Sequence, residues 1–81
     1  MFGRVRELPD PALARLLKRL RVERSMTQEQ LAFDAGITAS ALSRIERGLI
    51  SPGWATVYRL AMALGIRLVE LAAALEESKE R

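Results

Sequence analysis

Arg44, with Ala39, Ser40 and Ser43 just before it, places one guanidinium and two hydroxyls within one short segment. A guanidinium is a rigid fork of N–H donors, suited to guanine O6 and N7 or to a phosphate. A guanine contact of this kind is worth about 1–3 kcal/mol of discrimination. The serine hydroxyls can bond a base edge or a phosphate, whereas Ala39 offers only a methyl group to a thymine. These residues suit recognition of a polyanion rather than bond making.

The rest of the composition agrees. The 81 residues contain neither cysteine nor histidine, which removes thiolate chemistry, disulfides, the usual zinc ligands and the commonest acid-base group at neutral pH. The carboxylates are scattered, with no base or phosphate-cradling loop beside them, so an enzyme is the weakest reading and no metal, cofactor or small-molecule ligand is expected. Net charge is +3, with eleven basic against six acidic residues up to Arg67 and two against four beyond it. A basic body with an acidic end suits a protein that presents one side to phosphate. The longest apolar run, residues 71–75, falls far short of the roughly 20 residues that span a bilayer, and the first six residues lack a signal-peptide pattern. No membrane association is expected, and the chain reads as soluble and cytoplasmic.

Elements to position those side chains are well punctuated. Asp10 before Pro11 is an N-cap followed by proline at the first helical position. Leu13, Leu16, Leu17, Leu20 and Val22 then give an apolar stripe, which predicts a helix over residues 11–24. Thr27 with Gln30 reads as a capping box for a second helix with Leu31, Ala32 and Ala35 inward. Gly36 stops it, Ile37 plugs the turn, and Thr38 caps a third helix to about residue 47, with Ala41, Leu42 and Ile45 inward. A Ser-Pro-Gly loop leads to a fourth helix over residues 54–64, and Leu68, Leu71, Ala72 and Leu75 mark a fifth that frays into residues 76–81. No strand pattern or repeat is visible. One domain over residues 10–76 is expected, between a flexible arm (1–9) bearing Arg4 and Arg6, which could reach phosphate, and a charged tail (77–81).

Two short helices around a glycine turn, the second with small and polar residues outward, make a helix-turn-helix over residues 27–47. The segments Thr27-Gln28-Glu29-Gln30-Leu31-Ala32, Gly36-Ile37-Thr38, Leu42-Ser43-Arg44-Ile45-Glu46-Arg47-Gly48, Ser51-Pro52 and Leu60-Ala61-Met62-Ala63-Leu64-Gly65 together resemble the Cro/C1-type, Xre-like helix-turn-helix family. The resemblance implies an all-α, five-helix, lambda-repressor-like domain that binds double-stranded DNA as a transcriptional regulator. It implies base reading by Thr38, Ala39, Ser40, Ser43 and Arg44, and phosphate binding by Gln28, Arg47 and Thr27. It also implies a structural ion pair between Arg21 and Glu46, with Gln28 bracing the recognition helix.

Trp54, Tyr58, Met62 and, further on, Val69 fall beside the main apolar stripe of the last two helices. They could cap a small core or face a second copy, and the expectation is a two-fold dimer through helices 4 and 5. The leading reading is a dimeric repressor or autoregulator on an inverted repeat, akin to a restriction-modification controller or a small phage repressor. An antitoxin that neutralises a toxin and binds its own promoter is the alternative.

Overall fold

The Asp10 carboxylate accepts the Ala12 N–H at 2.9 Å, and Pro11 opens the first helix without losing a donor. In the computed structural model, which describes residues 9–79, the order is α1 (Pro11–Glu23), α2 (Gln28–Ala35), α3 (Ala39–Glu46), α4 (Trp54–Ala63) and α5 (Leu68–Lys79). The expected arm with Arg4 and Arg6 lies outside the described residues. Among those described there is no strand, and no helix is long and apolar enough to cross a membrane.

The capping box is present in full: Thr27 Oγ1 accepts from the Gln30 N–H at 3.0 Å, and Gln30 Oε1 accepts from the Thr27 N–H at 2.8 Å. Gly36 ends α2 in the left-handed region at φ 73°, where a Cβ would cost energy. Thr38 Oγ1 then accepts from the Ala41 N–H at 3.0 Å and starts α3. The turn between α2 and α3 is thereby closed at both ends.

α2 packs against α3 and α4, while α1 packs against α3 and α5. Leu16, Leu17, Leu31, Leu42, Leu60 and Leu71 are fully buried at the centre, one or two from every helix. Replacing any one of them with alanine would cost about 2–5 kcal/mol. Two arginines complete the frame from a distance. Arg24 Nε donates to the Leu64 carbonyl at 2.6 Å, and Arg59 Nε to the Ala35 carbonyl at 3.0 Å, so each satisfies a carbonyl at another helix's end.

Three expectations need correction. Val22 does not join the α1 stripe: it is 57% exposed, because it stands 140° around the helix from Leu17 and 160° from Leu20. Ala39 rather than Ala41 packs against the core, being three residues before Leu42 and so on its face. The last helix does not fray at residue 76 but continues to Lys79, whose ammonium meets the Asp10 carboxylate at 2.8 Å. That partner lies near the other end of the sequence, and the strong helix formers of residues 71–79 carry the helix to it.

Candidate nucleic-acid interface

The recognition surface depends on one acidic residue. Glu46, at the end of α3, is 7% exposed and accepts from Arg21 Nε at 2.7 Å and Arg21 Nη2 at 2.9 Å, a bidentate pair joining α1 to α3. Its Oε1 also accepts from Gln28 Nε2 at 3.0 Å, which ties the first turn of α2 to the same point. Arg21 Nη1 donates to the Met26 carbonyl at 2.8 Å. The hydrogen-bonded carboxylate holds the Arg21 guanidinium still more firmly protonated, against the opposing effect of burial. Three helices thus meet at Glu46, and the angle of α3 on the body is set there.

This bracket leaves the outer side of α3 free. Ser40 and Arg44 are exposed, and neither side chain makes a hydrogen bond or ion pair among the described residues. Ser43 is half-buried and Ala39 half-buried against the core, so the two small residues offer less surface than the spacing alone suggests. Thr38 and Thr27 are exposed caps whose oxygens accept backbone N–H groups, leaving each hydroxyl hydrogen free to donate outward. Arg47 is exposed at the α3 C-cap, its Nε 3.4 Å from the Ser43 carbonyl. Gln28 spends one amide hydrogen on Glu46 and keeps a second for a ligand.

The structure therefore gathers Thr38, Ser40 and Arg44 with Gln28, Thr27 and Arg47 around α3 and the start of α2. No group of three His, Cys, Asp or Glu side chains that could hold a metal ion occurs among the described residues. On the other flank, Trp54 is 67% exposed and stacks on Tyr58 with ring centroids 6.0 Å apart. Met62 and Val69 are also exposed, so these four residues do not cap the core. Two features had no readable signal in sequence: the carbonyl clamps of Arg24 and Arg59, which need the tertiary fold, and Phe33, an apolar residue 85% exposed on α2.

A capped pair of short helices, the second braced from behind and open in front, defines a helix-turn-helix domain. A family described as Helix-turn-helix matches residues 17–77. The uncharacterized HTH-type transcriptional regulator y4dJ of Sinorhizobium fredii is 42% identical over 60 residues, spanning 74% of this chain and 78% of the relative. The immunity repressor protein of Bacillus phage phi105 is 42% identical over 52 residues, 64% of this chain but only 36% of the phage protein. Among solved structures, the restriction-modification controller protein C.AhdI from Aeromonas hydrophila superposes with a TM-score of 0.72 at 33% identity, covering 75% of this chain and 92% of that one. The chain belongs to the Cro/C1-type, Xre-like helix-turn-helix family of transcriptional regulators.

Proposed function

We propose that this chain is a sequence-specific DNA-binding regulator that acts as a homodimer, repressing transcription from an inverted-repeat operator in the cytoplasm, without catalytic activity of its own. The observation that carries this reading is the exposed outer face of α3, with an Arg44 guanidinium unpaired among the described residues and an exposed Ser40, on a helix braced by the Arg21–Glu46–Gln28 cluster. In this reading Arg44 and Ser40 enter the major groove with Ser43 and Thr38, while Gln28, Thr27 and Arg47 bond phosphates on either side. Phosphate contacts then provide affinity and register, and base contacts provide preference. The names of the relatives, a regulator, a phage repressor and a restriction-modification controller, support the regulatory role. The exposed apolar face of Trp54, Tyr58, Met62 and Val69 supports two-fold pairing.

Selection from random duplexes, followed by titration of the enriched and a scrambled sequence at two salt concentrations, tests it. A two-fold symmetric motif is expected. Arg44→Ala should relax one base position at a cost of about 1–3 kcal/mol, and Gln28→Ala should weaken all sequences alike. Equal, weak binding of both duplexes would overturn the reading.

A further inference from the structure

The helix pair α2–α3 is fastened to the body at two ends. At one, the start of α2 and the end of α3 converge on Glu46 and Arg21. At the other lies the turn from Gly36 to Thr38. Among the last carbonyls of α2, that of Ala32 accepts from the Ile37 N–H at 2.9 Å and that of Phe33 from the Gly36 N–H at 3.1 Å, both within the turn itself. The Ala35 carbonyl instead accepts from Arg59 Nε of α4 at 3.0 Å. Among the described residues, this is the one side-chain hydrogen bond that joins the turn end of the pair to another helix. Resting on the base-reading role proposed for α3, we infer that Arg59 is a positioning residue for DNA recognition. Through the Ala35 carbonyl it holds the leading half of α3, with Ser40, at a fixed depth in the groove.

Lever geometry gives the second fastening its importance. Glu46 is the last residue of α3, so a swing about that point moves each residue of the helix in proportion to its distance. Ser40 stands about 9 Å from Glu46 along the axis and Arg44 about 3 Å, at a rise of about 1.5 Å per residue. A swing of about 5° therefore shifts Ser40 by about 0.8 Å and Arg44 by about 0.3 Å. Good hydrogen bonds occupy a range of distances only about 0.5 Å wide, so the first displacement breaks a base contact and the second does not. Packing alone resists the swing weakly. The buried residues of α2 at the turn end are Ala32 and Ala35, whose single methyls allow close approach but interlock little. Arg59 supplies the missing constraint. Its neighbours Leu60 and Ala61 are wholly buried and fix the root of its side chain, and its cation meets the C-terminal end of α2, where positive charge is favoured. Arg59 itself is exposed, so its removal opens no cavity.

The parent chain, Arg59→Met, Arg59→Lys, Ser40→Ala and Arg44→Ala are each carried through selection from random duplexes, then titrated on the parent's motif and on a scrambled duplex. Arg59→Met should bind the parent's motif about tenfold more weakly, the order of one base contact, with binding to the scrambled duplex unchanged. The positions it relaxes should be those that Ser40→Ala relaxes, while the position that Arg44→Ala relaxes keeps its preference. Arg59→Lys should restore the motif, since an ammonium can donate to the same carbonyl. Far-UV circular dichroism and sedimentation of both Arg59 variants should match the parent. Relaxation spread evenly over the site, an unchanged motif, a lysine variant no better than methionine, or a loss that follows weaker self-association would each overturn the inference and leave base reading by α3 standing. A parent that selects no motif, or one that Ser40→Ala leaves unchanged, overturns both.

Discussion

Replacing Glu46 with glutamine keeps the side chain's volume and removes its charge, which isolates the role of the bracket. The Glu46 side chain is 2% exposed and that of Arg21 12%, so water cannot compensate for the lost partner. Arg21 would keep its bond to the Met26 carbonyl but lose one of two charge-assisted bonds to α3, with an amide N–H now facing its own. Breaking one side of a buried ion pair costs about 3–5 kcal/mol, and the retained acceptor oxygen places Glu46→Gln near the lower end, about 3 kcal/mol. For a domain this size that is a large share of a total stability on the order of 4–12 kcal/mol. Each kcal/mol moves the midpoint by about 4–8 °C, so Tm should fall by roughly 12–24 °C. Urea unfolding followed by circular dichroism measures it, with an unchanged m-value showing that the loss is in stability. Replacing the pair together, Arg21→Met with Glu46→Leu, should restore most of the stability but not DNA binding, because Gln28 then has no acceptor to hold it. A loss under about 1 kcal/mol for Glu46→Gln would refute the claim that this residue sets α3.

Other substitutions probe the frame. Ser25 sits at φ 56° in the turn after α1, and the Met26 N–H reaches back to the Arg21 carbonyl at 3.1 Å, an arrangement usually built on glycine. Ser25→Gly should therefore stabilise by about 0.5–1 kcal/mol in urea titration, and a loss would show that the serine makes a contact worth more than its strain. The hydrogen bond from the Lys79 ammonium holds the Asp10 carboxyl below the usual carboxylate range, against the opposing effect of burial and with help from the Ala12 and Leu13 N–H groups. A carboxyl lowered by folding adds stability above its unfolded pKa and loses it as pH falls through the folded value. Parent and Lys79→Met should hence differ at neutral pH by less than about 1 kcal/mol, the pair being half exposed, and converge in acid; parallel curves would dismiss the tie. Phe33→Ser, at a side chain that lies almost wholly in solvent, should change stability by no more than about 0.5 kcal/mol while leaving the selected DNA motif intact.

The helix starts were legible because their caps are local. Asp10 and Pro11, Thr27 and Gln30, and Thr38 each satisfy N–H groups within three residues, so adjacent letters carry the information. The end of α5 was not legible, since Lys79 reaches Asp10 across nearly the whole sequence. Likewise Arg24 and Arg59 read as part of a basic surface, yet they bond carbonyls 40 and 24 residues away. The Arg21–Glu46 pair that the family resemblance implied is present. What the spacing missed was depth: Ala39, packed against the core, and Ser43 are both half-buried, while Ser40 and Arg44 stay out. A helical period of 3.6 residues fixes faces, but the packing of α3 on its neighbours decides how far each flank sinks.

The bracket at Glu46 divides labour within α3 in a way that bears on how such proteins diversify. Leu42, Ile45 and Glu46 anchor the helix, whereas the Ser40 and Arg44 side chains make no hydrogen bond or ion pair among the described residues. Those two outward positions can be exchanged at almost no cost to folding, because surface substitutions away from packed or capped groups change stability by about 0.5 kcal/mol or less. If Ser40 and Arg44 read bases as proposed, a duplicated copy of this chain drifts toward a new target through one or two codons, its scaffold untouched by the search.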